Sequence, residues 1–125
     1  MGWIILIVIV AALIGYVLGM GLYQKKFLKT LTEDEFKAGY RKAQLIDVRE
    51  PEEFKKGHIL GARNIPLSQM RQRMKEVRND QPVYLYCESG FRSARAANFL
   101  KKKKYGNLHH LKGGFRKWTG RVKSN

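Results

Sequence analysis

A chain of 125 residues carrying 25 Lys and Arg against 10 Asp and Glu, with a formal charge of +15, has room for one membrane segment and one small domain, which excludes a second globular domain. Every charged side chain lies at or after Lys25, so the basic field belongs to the segment from there onward and favours anionic partners. No nucleic-acid reading motif is present, which sets the expectation against a nucleic-acid partner; the single cysteine excludes an intramolecular disulfide framework and a cysteine-rich metal site.

From Gly2 to Tyr23 runs an uncharged, mostly apolar stretch. As a helix it would span about 33 Å, enough for a hydrocarbon core. The expectation is an uncleaved transmembrane helix over residues 2–23, because no basic side chain precedes the run as it would in a signal peptide. Trp3 and Tyr23 stand near its ends, where amphipathic rings sit at headgroups, and Gly15 and Gly19 form a GxxxG pair that leaves the oligomeric state open. Lys25, Lys26 and Lys29 follow at once, so the positive-inside rule sets the carboxyl-terminal domain in the cytoplasm of a single-pass cell-membrane protein, where a reducing milieu suits a working thiol.

After a basic juxtamembrane link over 24–30, Thr32 and Glu35 form a capping box that opens a helix bearing Phe36 and Tyr40 and closing near Lys42. Gln44 to Val48 reads as a short buried strand, and Pro51 starts a helix through Lys56 that Gly57 ends. A second strand is expected from Ala62 to Ile65. Ser68 is then placed to cap a helix in which Met70, Met74 and Val77 recur at helical spacing as core residues. Val83 to Tyr86 is the most strand-like run in the chain and ends directly at Cys87. A helix from Arg92 to about Lys103 and a last strand from Leu108 to Leu111 follow, with a basic tail over 121–125. Repeated strand-to-helix units imply a parallel-rich α/β sheet, and ligands of such sheets bind beyond the carboxyl ends of the strands, where Cys87 lies.

Cys87, Glu88, Ser89, Gly90, Phe91 and Arg92 connect that strand to that helix, so successive amides can turn toward the sulfur, with Gly90 permitting the tight curve. The thiolate is the reacting form, and a free thiol with a reference pKa of about 8.5 needs help to reach it. The amide cradle, the positive end of the helix and the Arg92 guanidinium are three sources of that help. Glu88 works against them, since a carboxylate beside the sulfur opposes both its ionisation and an anionic donor. Asp47 reads as a structural hydrogen-bonding residue. His58, His109 and His110 read as structural histidines, and Lys101 to Lys104 as a solvated face with headgroup contact as the second reading.

The sequence Cys87-Glu88-Ser89-Gly90-Phe91-Arg92 between strand and helix resembles the active-site loop of the rhodanese family. Asp47-Val48-Arg49-Glu50-Pro51, Gly57-His58-Ile59 with Gly61-Ala62 and Asn64-Ile65-Pro66, and Gly113-Gly114 with Trp118 resemble its other blocks in the same order. The resemblance covers roughly Leu31 to Trp118 and is taken to define a domain over 31–120. It implies an α/β fold, a small rhodanese-like domain with a central, mainly parallel sheet flanked by helices.

It also implies a reaction: sulfane sulfur would move from a thiosulfate or persulfide donor through a Cys87 persulfide to a thiol-type or cyanide acceptor, by covalent two-step catalysis without metal or organic cofactor. Cys87 would be catalytic, and Glu88, Ser89, Gly90, Phe91 and Arg92 would bind the donor, with Arg49 as a further candidate. The implied partners are a small sulfur donor, a thiol-type or protein acceptor, and membrane lipid around the amino-terminal helix. Cysteine phosphatases close a similar loop with an arginine after five intervening residues; here four intervene, one too few for phosphate. The alternative reading is a noncatalytic, membrane-held interaction module.

Overall fold

The computed structural model describes residues 1–124, the side chains of residues 23–26 excepted, so the Tyr23 anchor, the Lys25 and Lys26 side chains and Asn125 of the tail lie outside the described residues. The apolar run forms α1 (Gly2–Phe27), and from Gly2 to Leu22 it is long and apolar enough to cross a membrane. Every side chain over that stretch is exposed, which no soluble core helix tolerates.

The chain then enters a domain of alternating strands and helices. These are β1 (Leu28–Leu31), α2 (Glu33–Gly39), β2 (Gln44–Asp47), α3 (Pro51–Lys56), β3 (His58–Ile59), β4 (Arg63–Asn64), α4 (Met70–Arg73), β5 (Val83–Tyr86), α5 (Phe91–Lys102), β6 (Leu108–Leu111) and β7 (Val122–Lys123). The main sheet has the order β1-β6-β5-β2-β4 with every pairing parallel, so all five strands end on the same side. That is the α/β architecture expected from the alternation. β3 and β7 pair antiparallel as a separate ribbon.

Local chemistry accounts for the boundaries. The Thr32 hydroxyl accepts from the Glu35 amide at 3.3 Å and the Glu35 carboxylate from the Thr32 amide at 2.9 Å, which closes both orphan donors at the start of α2. Pro51 opens α3 and Gly57 ends it.

The two faces of the sheet carry separate cores. Leu28, Ile46, Val83, Leu85 and Leu108 meet Ala96, Ala97 and Leu100 of α5 on one face; Leu45, Tyr86 and Leu111 meet Phe36 and Tyr40 on the other. Phe36 is 0% exposed and packs edge-on against Trp118 at 6.0 Å, so the closing block of the sequence seals the α2 face.

Several elements differ from the sequence reading, among them β3 (His58–Ile59), which is absent from it, and α1, which runs on to Phe27. Leu28–Leu31, partly inside the expected basic link, is an edge strand paired in register with Leu108–Leu111. β7 occupies part of the expected tail, and the strand foreseen from Ala62 to Ile65 is only Arg63–Asn64. The helix foreseen after Ser68 is a single α turn between two 3-10 turns, Leu67–Gln69 and Met74–Glu76. Ser68 does not cap it: Ser68 lies within the first 3-10 turn, Gln69 stands at the position before the α turn, and the Ser68 hydroxyl donates to the Glu50 carboxylate at 3.0 Å. Met70 and Val77 are core residues as expected, and Met74 packs against the same core.

Candidate active site

Cys87 is the first residue after β5, at the carboxyl edge of the sheet and one residue in register beyond the Asp47–Tyr86 pair. It is 1% exposed, and burial alone would fit an inert core cysteine. Its sulfur is not in an inert setting. The Gly90 amide donates to Cys87 Sγ at 3.0 Å and the Ser93 amide at 3.3 Å, so two backbone dipoles converge on one atom at the start of α5. Gly90 achieves this with φ at 121°, a conformation closed to most side chains. Convergent amides at a helix N-terminus stabilise negative charge, which on this atom means a thiolate or a persulfide anion.

The loop is pinned from below by the closing block. The amides of Phe115 and Arg116 donate to the carbonyls of Cys87 and Glu88 at 2.8 and 3.1 Å. Gly114, at φ 65°, makes that approach possible: a Cβ there would stand 2.4 Å from the Glu88 carbonyl oxygen and 2.6 Å from that of Cys87.

The two candidate arginines are brought to the site and both are already paired. Arg92 makes a bidentate pair with Glu53, at 2.6 and 2.9 Å, and this contact holds the Glu53 carboxyl down at about 2. Arg49 is 3% exposed: its Nε and Nη2 donate to Asp47, Nη2 also to the Gly57 carbonyl at 2.6 Å, and Nη1 to Glu88 at 3.1 Å, with the guanidinium stacked 4.3 Å over the Phe115 ring. Arg49 therefore reaches the site through Glu88, whose carboxylate it fixes. Asp47 has the structural role expected of it. Ser89 and Phe91 are exposed on the loop, Phe91 at 82%. At the mouth, then, two guanidiniums face three carboxylates.

Three residues join the site without having been singled out for it. Ser93 Oγ lies 3.5 Å from Cys87 Sγ and 2.9 Å from His110 Nδ1, and His110 Nε2 lies 2.9 Å from Thr30 Oγ1. Strand alternation explains the geometry. Leu28, Thr30, Leu108 and His110 point to the α5 face, whereas His109 points to the other and packs on Tyr84 at 4.9 Å. Burial pushes the His110 imidazole below its ordinary value. No sequence signal announced the contact, because it depends on β1 and β6 being neighbours. His58 is structural, stacked 3.6 Å on Phe54 with Nδ1 2.8 Å from the Phe54 carbonyl.

Known proteins resemble the chain in sequence and fold. The chain is 59% identical over 120 residues to the YqhL protein of Bacillus subtilis, covering 96% of this chain and 95% of that one. It is 38% identical over 75 residues to a sulfurtransferase of Allochromatium vinosum, covering 60% and 70% of the two chains. A rhodanese-related protein of Thermoplasma volcanium superposes with a TM-score of 0.71 at 28% identity, over 78% of this chain and 99% of that chain. Residues 32–121 match the model of the rhodanese-like domain, and the chain belongs to that family.

Proposed function

We propose that this chain is a membrane-anchored sulfurtransferase in which Cys87 carries sulfur as a persulfide. The observation behind this reading is the pair of amides, from Gly90 and Ser93, aimed at Cys87 Sγ in a loop at the carboxyl edge of a parallel sheet. An amide cradle of this kind suits a sulfur atom that must hold negative charge twice per cycle. In the first half-reaction Cys87 attacks the sulfane sulfur of the donor, the donor's S–S bond breaks and its electron pair leaves on a thiolate. In the second, an acceptor nucleophile takes the outer sulfur and Cys87 departs as thiolate. A sulfurtransferase among the relatives supports the reaction class.

The donor we favour is a persulfide rather than thiosulfate. A dianion gains most from unpaired cations, and both guanidiniums at this mouth are engaged by Asp47, Glu53 and Glu88. Phe91, exposed on the loop, offers an apolar contact to a thiol-bearing or protein partner. We further propose that α1 spans the cell membrane and that the domain faces the cytoplasm, a reading supported by its length and apolar composition and by the lysines that follow it.

The test is mass spectrometry of the detergent-purified full chain after exposure to persulfide donors. Addition of one sulfur at Cys87, lost in Cys87→Ser and discharged by a thiol acceptor, is the expected result. Failure to load across persulfide and thiosulfate donors would overturn the enzyme and leave a membrane-held interaction module. External protease on intact cells checks the orientation, and digestion of the domain from outside would reverse it.

A further inference from the structure

Behind the thiol, on the α5 face of the sheet, a continuous polar chain runs from the sulfur to the domain edge. Cys87 Sγ lies 3.5 Å from Ser93 Oγ, Ser93 Oγ 2.9 Å from His110 Nδ1, and His110 Nε2 2.9 Å from Thr30 Oγ1. Ser93 is 0% exposed, so its hydroxyl is shared among Cys87 Sγ, His110 Nδ1 and the Gly90 carbonyl, 3.0 Å away, and is shielded from bulk water. Three elements, β1, β6 and α5, each contribute one member.

We propose that His110, acting through the Ser93 hydroxyl, accepts the Cys87 thiol proton as Cys87 attacks a sulfur donor and returns it as Cys87 leaves in the second half-reaction. The inference rests on the reading of Cys87 as a sulfur carrier. The relay requires that Cys87 S–H donate to Ser93 Oγ, that the Ser93 hydroxyl, which also reaches the Gly90 carbonyl at 3.0 Å, turn its proton to His110 Nδ1, and that His110 carry its own proton on Nε2 toward Thr30 Oγ1. The Thr30 hydroxyl can accept from Nε2–H, and in that tautomer the Nδ1 lone pair faces Ser93.

On attack, the S–H bond breaks and its proton passes to Ser93 Oγ while the Ser93 proton passes to Nδ1. The sulfur electron pair forms the new S–S bond, and the donor's own S–S bond releases a thiolate. The ring is then an imidazolium. When an acceptor thiolate takes the outer sulfur, the electron pair of the broken S–S bond stays on Cys87 Sγ, and the two protons hop back. No oxidant or reductant enters beyond the donor and acceptor themselves.

The surroundings suit this role. Burial holds His110 below its ordinary value, so the ring is neutral and able to accept a proton near neutral pH. From β5, the register partner of His110 is Leu85; from β1, Thr30 faces it while Lys29 pairs with His109, on the other face. On α5, Arg95 is exposed and Arg92 is turned to Glu53. The Asp47, Arg49 and Glu88 group pairs within itself beyond Cys87. Among the described residues no charged side chain hydrogen-bonds to His110, so the proton's destination is the neutral ring.

The test measures alkylation of Cys87 by iodoacetamide, a neutral reagent, from pH 5 to 10 in the detergent-solubilised full chain. His110→Asn keeps a hydrogen-bonding group against Ser93 but cannot take a proton. The relay predicts a loss of about tenfold or more at pH 7 that narrows to within about twofold at pH 10, where hydroxide removes the proton directly. Ser93→Ala should give the same pH-selective pattern. Thr30→Val, a substitution at an exposed strand position, should give a loss of about threefold at pH 7 if the interior variants unfold. Unchanged rates, or a loss uniform across the pH range, would overturn the relay and leave His110 a packing residue. Because alkylation needs no sulfur donor, a pH-selective loss in a chain that takes up no sulfur would keep the relay and remove the carrier reading.

Discussion

Glu53→Gln is the substitution that most directly tests how charge at the mouth selects the donor. Glu53 accepts two charge-assisted hydrogen bonds from Arg92, at 2.6 and 2.9 Å, and a third from the Glu50 amide at 3.1 Å. Its carboxyl sits at about 2 instead of the ordinary 4.5. At about 1.4 kcal/mol per tenfold that difference sets a ceiling of about 3 kcal/mol. Because the side chain is 35% exposed, solvent screening brings the expected stability loss at pH 7 to about 1 kcal/mol. A depressed carboxyl stabilises the fold fully above its unfolded value and loses that contribution as pH falls from about 4.5 toward 2. Urea midpoints of the wild type and variant should therefore differ at pH 7 and converge at low pH. The functional effect has the opposite sign. For a dianion bound at an assumed separation of about 6 Å, removing one negative charge is worth about 1.4 kcal/mol at the dielectric of water, so kcat/KM for thiosulfate should rise about tenfold. For a persulfide of low charge it should change by less than about threefold. An unaltered thiosulfate-to-persulfide ratio would refute the claim that paired arginines set donor choice.

Gly114→Ala should cost at least about 2 kcal/mol in urea denaturation and slow sulfur loading, because the added Cβ meets two loop carbonyls and the residue sits at positive φ. A fully active variant of wild-type stability would show that the closing block does not pin the loop. Arg49→Met leaves Asp47, 0% exposed, without its counter-charge and should destabilise the domain by about 3–5 kcal/mol on the same measurement; a loss below about 1 kcal/mol would mean that Asp47 finds another partner. Phe36→Ala, at the centre of the aromatic cluster with Tyr40, Tyr84 and Trp118, should cost about 3–5 kcal/mol by thermal or urea unfolding.

What could be read from the sequence was what short-range chemistry dictates. The Thr32–Glu35 box, Pro51 and Gly57, and the apolar run before Cys87 each announce a boundary within a few residues of themselves, and the helices and strands begin there. The α/β architecture followed from their alternation. β1 escaped because Leu28–Leu31 is a four-residue edge strand in a lysine-rich stretch, and only its partner β6 makes it one. β7 depends in the same way on His58–Ile59. At the site, Cys87, Gly90 and Arg92 are legible because loop spacing is local. The pairing of Arg92 with Glu53, 39 residues away, and the contact of Ser93 with His110, 17 residues away, depend on topology and were not. The histidines show the limit well: consecutive residues in one strand, read alike as structural, point to opposite faces, and only one meets the thiol's neighbour.

The charge of the chain is segregated along α5. Its N-terminus lies against Cys87 among the carboxylates Glu53 and Glu88, while Lys101 and Lys102 close its other end and Lys103 and Lys104 follow. Twelve residues of helix separate the two ends by about 18 Å. At the basic end, Lys29, Lys101, Tyr105 and His109 line one cleft together with Phe27, the last residue of α1. β1 leaves α1 and runs parallel to the other strands, so α1 joins the domain at the amino edge of the sheet and Cys87 lies at the carboxyl edge. With α1 in a bilayer, the lysine-rich end faces anionic headgroups, where each cation contributes about 1 kcal/mol. The thiol loop with exposed Phe91 then points to the aqueous phase, where a sulfur donor or a protein acceptor can reach it. On the proposed membrane seating, the lysine-rich end of α5 lies toward the headgroups, while the guanidiniums at the site are paired with Asp47, Glu53 and Glu88.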